Sequence, residues 1–236
     1  MARRVAARIG WGLLVLLLAV LLFLGVAVSW ILVANDPSWF HVFIPGEMAQ
    51  GREPGASVET LRATMFGQQD EDGFDVFATM LFTHNSQVSI LAYALGFAFG
   101  LPTMMLEMYQ GLSFGAMIAV FAEAGLTVDF LGWLSIHGTT ELYAAILAGA
   151  AGLRIGTAFA FPGPRSRLTA AAEAGKATGA AMIGVILMLL VAGLLEGFAR
   201  QMVQLTFVRY AIGAAMLTLW LAYFHIPRRS AGAARR

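Results

Sequence analysis

The chain has no cysteine and a single lysine, Lys176, among its 236 residues. The first absence removes disulfides, thiolate nucleophiles and cysteine-ligated metal centres together. Charge is scarce as well. Asp, Glu, Lys and Arg make up 12% of the chain, while hydrophobic residues make up 59%. Soluble domains run at roughly 25% and 45–50%, so a water-soluble fold has no means of hiding this much apolar surface. The His-Glu-x-x-His of zinc proteases is missing, and a serine hydrolase is not expected. No helix carries a basic face and no aromatic ladder interleaves basic residues, which excludes nucleic-acid partners. The net charge of +1 selects no partner.

What is there is apolar length. Trp11–Val33 runs 23 residues without a charge, enough to span a bilayer, which needs about 20. A cleaved signal peptide has an apolar core of only about 7–15 residues. The pattern predicts an all-α polytopic transmembrane bundle of about six spans, at 11–33, 84–106, 111–126, 130–153, 178–197 and 204–225. Residues 1–10 form a cytoplasmic N-terminus, 34–75 an extracytoplasmic segment, 76–226 a five-span bundle and 227–236 a basic cytoplasmic tail. Span two bends near Pro102, and span three is short.

Loop charges set the orientation. Arg3, Arg4 and Arg8 precede the first span. Arg154, Arg165, Arg167 and Lys176 lie between spans four and five, and Arg228, Arg229, Arg235 and Arg236 follow the last. Six crossings put all three clusters on the cytoplasmic side of a bacterial inner membrane. This parity requires the short third span to cross. In the outer segment, Val58, Leu61, Met65 and Phe66 recur at helical spacing and predict a short amphipathic helix. Asp70, Glu71, Asp72 and Asp75 do not make a calcium loop. The EF-hand pattern wants a ligand and then glycine where Phe74 and Asp75 stand.

The polar residues inside these runs are the candidate site. A charge at the centre of a span costs about 2.5–3.5 kcal/mol on insertion scales. His137 and Glu141 lie four apart, on one helix face. Gly138 offers a place for a helix break, whose free N–H groups would attract an anion. Asn85 and Gln110 are the expected added partners, although His84-Asn85 also reads as a helix cap. A catalytic zinc takes three protein ligands; only His84 matches in depth, so no metal, cofactor or catalytic residue is assigned. Glu196, Arg200 and Arg209 read as a structural ion group joining spans five and six. The pairs Gly96/Gly100, Gly111/Gly115, Gly175/Gly179 and Gly193/Gly197 allow close helix approach. Packing within the chain satisfies them, and a homo-oligomer is compatible with them.

In order, His84-Asn85, Gly96-x-x-x-Gly100-x-Pro102, Gly111-x-x-x-Gly115, His137-Gly138-x-x-Glu141-Leu142, Gly149-x-x-Gly152, Pro162 and Glu196 resemble the stage II sporulation protein M family of integral membrane proteins, over roughly residues 14–226. Ile136 stands where many members have proline, Gln110 where many have asparagine, and many relatives carry a soluble segment before the first span. The resemblance implies a multi-span fold and a part in an envelope complex, since the namesake anchors cell-wall hydrolases during engulfment. Relatives occur in organisms that never sporulate, and no catalytic residue follows. The expectation is a non-enzymatic scaffold or anchor, partnered by lipid and envelope proteins. The alternatives are a solute or ion transporter centred on His137 and Glu141 and, less favoured, a membrane-embedded metal hydrolase.

Overall fold

A computed structural model describes residues 2–66, 74–199 and 202–225, leaving aside the side chains of residues 2–9, 47, 74–81, 198–199 and 225. Among the described residues every regular element is helical. Five helices are long and apolar enough to cross a membrane: Gly10–Asn35, Leu101–Glu123, Thr127–Ala160, Arg167–Gly197 and Thr206–Phe224. They belong to α1 (Ala2–Asn35), α6 (Leu101–Glu123), α7 (Thr127–Ala160), α8 (Arg167–Leu194) and α9 (Thr206–His225). The remaining long helix, α5 (Phe74–Ala94), covers the first part, 84–94, of the place expected for span two. The protein is an all-α polytopic bundle.

The expected boundaries of spans two and three are corrected. The chain does not pause at 107–110, the gap between the expected spans two and three; α6 runs straight through them. It turns instead at Leu95–Gly100, with Phe99 and Gly100 both at positive φ. Pro102 sits in the first turn of α6, where its missing N–H costs nothing. The third span is therefore not short.

Side-chain register fixes the helix directions. Gly111 meets Leu22, and Gly115 meets Val26 and Ser29, so α1 and α6 run parallel. The turn at Gly125 reverses the chain, and Phe121 of α6 stacks on Phe130 of α7 at 4.0 Å. Asn85 is level with Glu141 and Gly96 with Gly152, so α5 parallels α7. α8 returns against both, with Tyr93 Oη donating to Gly175 O at 3.1 Å. Hydroxyls rivet α9 along α7: Thr206 to Asp129 at 2.9 Å, Ser135 to Arg209 O at 3.2 Å and Thr139 to Gly213 O at 3.2 Å. The six long helices thus alternate in direction.

The segment after α1 is a folded cap on one end of this bundle. Asp36 accepts from the Ser38 N–H at 3.0 Å and opens a 3₁₀ turn, Pro37–Trp39. Short helices α2 (Phe40–Phe43) and α3 (Gly46–Ala49) follow, then α4 (Val58–Phe66), the expected amphipathic helix. Ser57 caps α4 by accepting from the Thr60 N–H at 3.1 Å. Phe40, Phe43, Ile44, Leu61 and Met65 share one core with Val33, Phe121, Leu126, Phe130 and Trp133 of the bundle. The acidic run Asp70–Asp72 lies outside the described residues.

Candidate functional site

α7 carries the polar centre without interruption. The break expected at Gly138 does not occur, because the helix continues from Thr127 to Ala160. No free N-terminus therefore points into the membrane there. Glu141 stands twelve residues after Asp129 and thirteen before Arg154, about 18 and 20 Å along the helix axis. That is the middle of the span.

Three elements converge on this level. His137 and Glu141 project from α7 on one face. Asn85 of α5 donates Nδ2–H to Glu141 Oε1 at 2.7 Å. Its role is not to cap a helix, for α5 begins eleven residues earlier. Glu196 comes from the far end of α8, where the helix widens into a π turn, Leu195–Ala199. Its Oε2 lies 3.6 Å from His137 Nε2, with both side chains 4% exposed. One ligand atom from each of His137, Glu141 and Glu196 falls within 4.8 Å of the others. Trp133, one turn below, presents its ring edgewise to the imidazole at 5.5 Å. For a third zinc ligand the sequence offers only His84. His84 is exposed, and the third donor is Glu196.

The remaining expected partners are placed elsewhere. Gln110 donates to Glu107 Oε2 at 3.5 Å, within α6. Glu107 is fully buried, although the expected spans leave 107–110 between them and so omit it. Arg200 lies outside the described residues. Arg209 meets the cap at Phe66. It is fully buried, donates Nε–H to Val203 O at 2.8 Å and lies 4.4 Å above the Phe66 ring. Glu196 thus takes part in the α7 centre through His137.

The glycine pairs divide. Gly96, Gly111 and Gly115 each face backbone of another helix so closely that a Cβ would collide, and Gly100 faces Leu153. Gly175 has only ordinary contacts, with Tyr93 and Ile155, and Gly179 none within 4 Å. Gly193 and Gly197 are both buried. Gly111-Leu112-Ser113-Phe114-Gly115 also spells the Gly-x-Ser-x-Gly of serine hydrolases. That chemistry needs a sharp strand-to-helix turn to expose the serine. Here Ser113 is mid-helix and donates to Phe43 O and Tyr109 O, each at 3.2 Å.

No curated protein and no solved structure matches this chain. A family model does, that of stage II sporulation protein M, over residues 15–199. The matched stretch runs from α1 through the cap, α5, α6 and α7 to Glu196, and so contains every residue of the polar centre. The chain belongs to the stage II sporulation protein M family.

Proposed function

We propose that this protein is a non-enzymatic scaffold or anchor for an envelope complex in a bacterial inner membrane. Both termini face the cytoplasm and the cap faces outward. The observation that carries this reading is the cap itself. Its core is continuous with that of the bundle, so it is held rigidly at the membrane end. Its outer surface presents apolar side chains, with Val42 62% and Met48 48% exposed and Trp39 and Val58 exposed as well. An ordered apolar surface outside the spans fits a protein partner. The cationic clusters at the opposite end support the orientation.

Photo-crosslinking in cells tests it. A crosslinker at Val42 or Met48 should trap a discrete protein adduct, and one at the lipid-facing Leu13 should trap none. Only lipid adducts at all three positions would sink the scaffold. A second reading, a solute or ion transporter, draws on the mid-span group of His137, Glu141 and Glu196. Coupled flux in liposomes holding this protein alone, abolished by Glu141→Gln, would put that reading first.

A further inference from the structure

We infer that His137, Glu141 and Glu196 form a binding site for one divalent transition-metal ion, of which Zn2+ is the representative, and that this ion ties α7 to the end of α8. The inference goes beyond the scaffold reading and stands or falls separately from it.

The donor set is one imidazole nitrogen and two carboxylate oxygens, brought together from two helices. Nitrogen and carboxylate oxygen suit Zn2+ and its neighbours, and three protein ligands are what an open zinc site holds. The donor atoms already lie within 4.8 Å of one another. Metal–ligand distances of about 2.0–2.2 Å ask only that the carboxylates draw in, which glutamate side-chain rotation supplies.

Three further features fit a metal better than a hydrogen-bonded cluster. First, two carboxylates share a water-poor mid-span level, where like charges repel strongly and each charge is costly to bury. A divalent cation between them balances both. Second, the π turn Leu195–Ala199 sits where Glu196 must be aimed. Such turns are rare and occur frequently at functional sites. Third, Asn85 donates to Glu141 at 2.7 Å from a third helix. A ligating carboxylate is commonly fixed by such a hydrogen bond. Arg154 lies more than three helical turns from Glu141 along α7, too far to take the ion's place beside it.

The test uses the full chain in nanodiscs, stripped with a chelator, dialysed against Zn2+ and freed of excess by gel filtration. Metal per protein is then counted by mass spectrometry. The wild type should retain one equivalent, and Co2+ in its place should show the visible bands of a low-coordinate centre. His137→Asn and Glu196→Gln should abolish retention. Asn85→Ala should weaken affinity about 10–100-fold. Glu107→Gln alters a buried carboxylate outside the group and should bind like the wild type. A wild type that retains no Zn2+ overturns the inference whatever the variants do, including any that fail to fold. Equal loss in Glu107→Gln would overturn it too, by showing nonspecific binding.

Discussion

At the residue scale, the absence of a side chain decides whether α1 and α6 can meet. A Cβ on Gly111 would stand 2.0 Å from Leu22 O, and one on Gly115 2.1 Å from Val26 O. Both obstacles are backbone and cannot rotate away. Gly111→Ala should force the helices apart and cost about 1–3 kcal/mol, as overpacking does. Gly179 has open space, so Gly179→Ala should be neutral or gain up to about 1 kcal/mol through helix propensity. Thermal melting in detergent compares them, and a Gly111→Ala protein as stable as the wild type would refute the close approach. Asp36 offers a second residue-scale check. The Ser38 hydroxyl and then its backbone N–H hold this exposed carboxylate below its ordinary value of 3.8. A lowered folded value means that the contribution to stability is present above the ordinary value. It is lost as pH falls through the lowered one. An NMR titration should place the Asp36 midpoint below that of an unstructured aspartate. Ser38→Ala should move it upward.

At the scale of elements, the cap is held by side chains that look unremarkable in sequence. Phe66 ends α4, and the guanidinium of Arg209 lies over its ring at 4.4 Å. Phe66→Leu keeps the apolar bulk and removes the cation–π attraction. It should loosen α4 by about 0.5–2 kcal/mol, visible as faster limited proteolysis of the cap with the bundle helices unchanged. Phe40 is fully buried at the centre of the shared core, so Phe40→Ala should cost more, about 3–5 kcal/mol. Hydropathy found α1, α7, α8 and α9, because each is a long apolar run bounded by charge or proline. It misplaced the α5–α6 turn because Leu95–Gly100 is as greasy as the helices around it. That turn is made by positive φ at Phe99 and Gly100 and by the contact of Gly96 with Gly152, which no single-chain pattern reports. The same error hid Glu107. Within the site, the i,i+4 spacing exposed His137 and Glu141. Glu196 could not be matched to them, since its partner lies 59 positions away and its aim depends on a local π turn.

At the scale of the whole molecule, the decisive question is how many helices cross, and α5 decides it. Five helices qualify by length and composition, whereas the register of contacts makes six alternate in direction. The two counts differ in a measurable way. Glu59 lies in the cap after α1, and Pro164 lies in the loop after α7; both are exposed. If α5 crosses, three crossings separate them and they face opposite sides. If α5 lies on the surface, two crossings separate them and they face the same side. The wild type has no cysteine, so Glu59→Cys and Pro164→Cys each report alone to a membrane-impermeant thiol reagent. The alternating arrangement, oriented by the arginines near α7 and α8, predicts labelling of Glu59→Cys in intact cells. Pro164→Cys should label only after permeabilisation. Labelling of both in intact cells would remove α5 from the crossing helices. It would also detach Asn85 from the mid-span level at which it meets Glu141.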